Sequence, residues 1–194
     1  MKLVGILGLL VVVLLICACP ALAARLTSPL GTANTSTVKA ASQSPLLLTS
    51  SYFFGTVECK SSAVEGNVEA HGTVSTVSGQ ISRLEVTGCN WGEPTSPVST
   101  RGSLELHSTG SGTGTVTSNG AAVFFHKTPV GTCIFTTKAT DVGTFTDSSI
   151  TKGNAIIDIA GVTILQTSGN PLCPPSVALD GSYKVTTPSV LYID

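Results

Sequence analysis

FFGTVECKSSAVEGNVEAHG, residues 53–72, gathers a cysteine, a lysine, three glutamates and a histidine into one short stretch of a chain in which only 11% of residues are charged. Two readings compete. A Glu/His acid–base site needs a nucleophile oriented by the base, and none stands nearby. A half-buried strand needs only alternation, because successive side chains leave a strand on opposite faces. That alternation is present: Val57 and Cys59 against Glu58 and Lys60, then Val68 and Ala70 against Glu69 and His71. The small residues from Ser61 to Gly66 read as a turn between the two halves. The stretch is therefore expected to be a β-hairpin in which Glu58 or Lys60 lies across from Glu69 or His71. Such cross-strand pairs contribute about 0.2–1 kcal/mol each.

The same alternation recurs in Arg83-Leu84-Glu85-Val86 and in Ser103-Leu104-Glu105-Leu106-His107, and no segment sustains a helical i, i+3, i+4, i+7 pattern. Asn119-Gly120, flanked by Thr113–Ser118 and Ala121–Phe125, is the best type I′ hairpin signal in the chain. Further strands are expected at Thr132–Thr137, Gly143–Thr146, Ala155–Gln166 and Gly181–Asp194, about ten in all. Gly161 is placed to bend or bulge the long segment around it, so that one strand serves two sheets or turns a corner; the alternative is two shorter strands. Pro188 marks an edge or a break between two strands, and the terminal strand is expected to dock in its own domain. Ser, Thr, Gly and Val dominate while strong helix formers are scarce. The fold class expected is all-β: a single antiparallel β-sandwich or jelly-roll-like domain.

Residues 1–23 are set apart from that domain. Met1-Lys2 supplies a positive start, LVGILGLLVVVLLICAC an apolar run, and Pro20-Ala21-Leu22-Ala23 a small-residue cleavage site. This is the layout of a signal peptide removed after Ala23, although the run approaches membrane-spanning length. Leu15-Ile16-Cys17-Ala18-Cys19 also has the form of a lipobox, which would place a lipid on Cys19 and hold the protein at a membrane surface. Residues 24–194 then form one domain, long enough to bury a single core.

Formal net charge is −1, with no basic or acidic run, which excludes the electrostatic footprint of a nucleic-acid partner. Of six cysteines, two lie in the leader. Cys59, Cys89, Cys133 and Cys173 remain, an even number in an exported chain and therefore a disulfide framework. No two are spaced as in a zinc ribbon or a redox C-x-x-C. Among the three connectivities, a weak internal echo favours Cys59–Cys89 and Cys133–Cys173. Gly55–Cys59 and Gly131–Phe135 each open a strand unit followed by a cysteine in a turn-like context, Gly88-Cys89-Asn90 and Leu172-Cys173-Pro174.

Signals of catalysis are few. There is no G-x-S-x-G elbow, no H-E-x-x-H, no P-loop and no EF-hand series. Gly110-Ser111-Gly112-Thr113-Gly114 lacks the lysine and the helix of a phosphate loop. His71, His107 and His126 are scattered, and each falls on a polar face or a strand end, so neither metal nor cofactor is expected. Glu105 and His107 share one strand face as a solvated carboxylate–imidazole pair. Trp91, on the loop anchored by Cys89, is a candidate platform for a sugar ring or a partner; its other reading is a cap on the β core.

Gly55-Thr56-Val57-Glu58-Cys59-Lys60-Ser61-Ser62, Val86-Thr87-Gly88-Cys89 and Gly181-Ser182-Tyr183-Lys184-Val185-Thr186-Thr187-Pro188 resemble a recurrent group of small secreted all-β proteins from high-GC Gram-positive soil bacteria. No activity or catalytic residue is assigned to that group, so the resemblance implies location, extracellular or in the cell envelope, and nothing about chemistry. The functional expectation is a secreted or cell-surface, non-enzymatic β domain with a structural, adhesive or binding role, its partner an envelope or matrix component or a glycan. The rival is a carbohydrate-binding module or carbohydrate-active enzyme using Trp91, the tyrosines and surface carboxylates. The enzyme would need two carboxylates about 5–10 Å apart in a cleft.

Overall fold

The computed structural model describes residues 25–27, 37–51, 55–71, 76–91, 93–94, 102–127 and 129–193. The leader, with Cys19 and the cleavage site, lies outside the described residues.

The opening stretch is one strand. β4 (Thr56–His71) runs unbroken for 16 residues, so the expected turn at Ser61–Gly66 does not exist. Its partner is β5 (Thr76–Cys89), and the two pair from Cys59↔Cys89 to His71↔Val77. Glu58 and Lys60 therefore share a strand with Glu69 and His71 rather than facing them. Small residues at Ser61–Gly66 permit strong coiling as well as a turn, and β5 supplies the ladder that keeps the segment extended. At the usual rise of ~3.3 Å per residue, β4 reaches about 50 Å, longer than one barrel wall requires.

β2 (Thr37–Ser42) and β3 (Leu46–Thr49) form a single interrupted stave along the other edge of β4, with registers Ala40↔Val64 and Leu48↔Val57. Beyond β5 follow β7 (Ser103–Gly110), β8 (Thr113–Asn119), β11 (Thr140–Thr146), β12 (Ile156–Gly169) and β13 (Ser176–Thr187). β13 then pairs with both β2 and β3, which closes the sheet. The expected sandwich is thus corrected to a closed antiparallel barrel of eight staves, visited in chain order. Alternating strands look alike in both architectures. Closure is decided by the Tyr183↔Ser42 and Leu179↔Leu48 pairings, which join elements more than 130 residues apart.

Three strands leave this meander. β6 (Glu93–Pro94), β9 (Ala122–Lys127) and β10 (Gly131–Thr136) form an arm in which β10 pairs with the distal half of β12. β12 can serve both because it bulges between Ile159 and Val162, as Gly161 led us to expect. Gly161 adopts φ +61°, and its N–H donates to Asp180 Oδ1 at 2.6 Å. Asn119-Gly120 is not a hairpin turn: β8 pairs with β7 and β11, and β9 with β10 and β6. Gly120, at φ +76°, instead turns a corner from barrel to arm, where its N–H and that of Thr137 donate to Thr137 O and Ala121 O, both at 2.9 Å.

The chain end docks within its own domain. β13 stops at the cis Thr187–Pro188 bond, and β14 (Tyr192–Ile193) pairs with β1 (Leu26–Thr27) across one mouth of the barrel. A helical turn, α1 (Ser148–Thr151), holds this plug in place. Buried Asp147 caps it, accepting from Ser149 N at 2.8 Å and Ile150 N at 3.3 Å, and its other oxygen accepts from Ile193 N at 3.3 Å. A local Asp-Ser-Ser N-cap signal existed in the sequence, but a helix of one turn leaves no periodicity to find.

Candidate functional site

Staves that alternate apolar and polar side chains turn their apolar row toward the barrel axis. β5 contributes Val77, Ile81, Leu84 and Val86; β7, Leu104 and Leu106; β8, Val116; β12, Ile157, Ile159 and Ile164; β13, Leu179 and Val185. These surround a cavity of about 210 Å³ whose walls are carbon almost throughout. Exposed charges, among them Glu58, Lys60, Arg83 and Asp158, stand on the outer face. Apolar inside and polar outside is the reverse of a membrane-spanning barrel, which presents an apolar band to lipid.

The cavity exists because the inward residues are short. An eight-stave barrel has an interior that side chains can just fill or that can hold one small ligand. Here the inward positions carry mainly Val, Leu and Ile, and aromatic residues are only 5% of the chain. Leu26 and Leu191, which belong to the plug beside Gly112, line one end, and Ala121 and Val123 of the arm line the other. Since Gly112 and Ala121 flank β8 at its two ends, these two groups lie at opposite ends of the lumen.

Few polar groups touch the lumen. Buried Ser118 and Thr137 bond each other through their hydroxyls at 3.0 Å, and Ala121 N donates to Thr137 Oγ1 at 3.0 Å. The buried Tyr183 hydroxyl donates to Ser62 Oγ at 2.9 Å, and burial raises its pKa above the ordinary 10.0.

The residues singled out from sequence fall elsewhere. Cys59 is bonded to Cys89 and Cys133 to Cys173, both pairings within the strand units of the echo. They belong to the part of the continuous core that lies under the arm. Trp91 is half-buried there, packed against the core and lining a crevice of about 20 Å³ with Leu48, Val57, Phe125 and Phe135. Tyr192 is half-buried in the plug. Glu105 and His107 do meet, Oε2 to Nε2 at 3.5 Å, with side chains 51% and 40% exposed, and His107 Nδ1 lies 3.1 Å from Thr76 Oγ1. His126 is exposed beside Thr132, Nδ1 to Oγ1 at 3.0 Å. Among the described residues no three His, Cys, Asp or Glu side chains converge as metal ligands.

Sequence reading missed the lumen. Its apolar rows were legible as a core, but a sandwich core and a barrel lumen share one pattern. The usable signal was volume: long strands whose inward positions carry almost no aromatic or methionine side chains. Compared with protein-family models, curated proteins and solved structures, the chain matches none.

Proposed function

We propose that this protein is an exported, non-enzymatic binding domain that holds a small apolar molecule in the lumen of its barrel. The observation that carries this reading is the cavity of about 210 Å³ with its carbon lining. Left empty, such a space costs about 5 kcal/mol at ~24 cal/mol per Å³. That is comparable with the whole net stability of a typical domain, about 5–15 kcal/mol. A ligand present at a thousandfold excess over its Kd stabilises by about 4 kcal/mol, the same scale.

Export rests on the two disulfides, which point to an oxidising compartment, and on the leader read from the sequence. Processing after Ala23 releases the domain; a lipid on Cys19 keeps it at the envelope. The glycan reading draws less support. Sugar hydroxyls need convergent donors and acceptors, whereas among the described residues Glu105 is the one carboxylate residue lining the cavity, and the Trp91 ring packs against the core.

The test is a fluorescence and thermal-shift titration of the full exported chain with naphthalene. Saturable micromolar binding and a rise in Tm are expected. Val116→Phe fills the lumen from β8; it is expected to raise the stability of the free protein and abolish binding. A wild-type protein that shows no saturable uptake, together with a destabilised Val116→Phe, ends this reading.

A further inference from the structure

Building on the lumen reading above, we infer the chemical class of the ligand: a neutral, compact, hydrocarbon-like molecule of one or two rings, bearing at most one hydroxyl or carbonyl. Carboxylates and other charged amphiphiles are rejected.

The charge selection follows from the walls. Among the described residues no lysine or arginine lines the cavity, and the one charged residue that does, Glu105, stands between inward Leu104 and Leu106. Its carboxylate therefore points outward, where it pairs with His107 at 3.5 Å. Asn67 and Gln80 also border the space, but their side chains turn outward to Thr37 and Glu69, at 2.9 and 3.4 Å. An ion entering this lumen loses its hydration and finds no counter-charge, the situation proteins avoid.

The allowance for one polar group follows from the hydroxyls. Tyr183 already donates to Ser62, which donates in turn to Glu85 O at 3.0 Å. The Ser118–Thr137 pair is different. One proton lies between its two oxygens, and Ala121 N fills an acceptor site on Thr137. Ser118 Oγ keeps room for a ligand group: it accepts from a ligand donor in either orientation, and it donates when Thr137 supplies the shared proton rather than passing it to Ala121 O at 3.4 Å. A hydroxyl or carbonyl set against Ser118 is thus satisfied, and a second polar group is not.

Size follows from the volume. A dry 150 Å³ cavity takes up benzene, so about 210 Å³ holds one or two rings.

Three molecules of nearly one shape separate these claims: naphthalene, 1-naphthol and 1-naphthoate, titrated into the full exported chain at pH 7. Naphthalene and 1-naphthol are expected to bind, and 1-naphthoate at least a hundredfold more weakly. Ser118→Ala is expected to weaken 1-naphthol by about three- to tenfold more than it weakens naphthalene. Naphthoate binding within tenfold of naphthalene overturns the neutral class but leaves the lumen occupied. Equal loss of naphthalene and naphthol in Ser118→Ala overturns the polar contact. Binding of none of the three to the wild type removes the lumen reading, and this inference with it.

Discussion

The hydroxyl of Tyr183 donates to Ser62 Oγ at 2.9 Å, joining β13 to β4 across a stave that is broken between them. β2 ends at Ser42 and β3 begins at Leu46, so β4 loses its ladder partner at Ser62. The gap is repaired by side chains. Ser62 N donates to Ser42 Oγ at 2.9 Å, Ser62 Oγ donates to Glu85 O at 3.0 Å, and Tyr183 completes the set. A buried backbone N–H left without a partner costs as much as a lost hydrogen bond, so this cluster lets the closing stave bend without penalty.

Tyr183→Phe removes the donor and leaves a Ser62 lone pair buried and unmatched, an expected loss of about 1–2 kcal/mol in urea denaturation. A double-mutant cycle with Ser62→Ala should show coupling, because the two residues share one bond.

The same tyrosine sets an alkaline limit. Burial raises its folded pKa above 10.0, and the Ser62 hydrogen bond offsets part of that rise. The unfolded chain then releases this proton at lower pH than the native one does. Its contribution to stability is complete below pH 10 and is lost as pH rises through the folded value. Denaturation midpoints of wild type and Tyr183→Phe, followed upward from pH 9, should converge. Parallel curves would show that this phenol is not the group responsible.

Removing a bridge acts mainly on the unfolded chain. With sequence separations of 30 and 40, Cys59→Ala/Cys89→Ala and Cys133→Ala/Cys173→Ala should each lower stability by about 3–4 kcal/mol. Chemical denaturation of both double variants measures this. A change under 1 kcal/mol in either would mean that its loop is already ordered without the bond.

Gly143 and Gly153 make a matched pair of substitutions. A Cβ on Gly143 would lie 2.3 Å from Asp158 O in the neighbouring strand, whereas a Cβ on Gly153 meets nothing within 4 Å. Gly143→Ala is expected to destabilise by about 1–3 kcal/mol or more through overpacking, and Gly153→Ala to be nearly neutral. Equal Tm values would show that the β11–β12 contact yields freely.

Asp147→Ala should loosen the barrel plug. It removes the α1 cap and the acceptor for Ile193 N, a loss of about 2 kcal/mol. Amide exchange at Ile193 should quicken more than at Val116 in the barrel wall. Uniform quickening would instead mean that plug and wall open together.

Much of the wall is legible in the sequence. Val57 and Cys59 are buried between exposed Glu58 and Lys60, as alternation requires, and Gly161 bulges where its strand had to serve two neighbours. Misreadings came at Ser61–Gly66 and at Asn119-Gly120. In both, residues suited to a hairpin were used to coil or turn a corner. A turn residue permits a reversal, and only the available ladder partner decides whether one occurs. Pairing Ser62 with Val86 rather than with its own downstream chain removed the first hairpin; pairing Val116 with Leu106 and Gly143 removed the second.

The chain alone determined the strand content, the orientation of each face and the number of cysteines left to bridge, because these depend on side-chain period and composition within a few residues. Tertiary structure alone decided that β13 returns to β2 and β3, and hence that the apolar faces enclose a space instead of packing against a second sheet. Closure is a pairing between distant segments whose hydrogen bonds are chemically the same as any other ladder's, so no local pattern encodes it. Whether the enclosed volume is filled depends on the sum of side-chain sizes around a ring of eight staves.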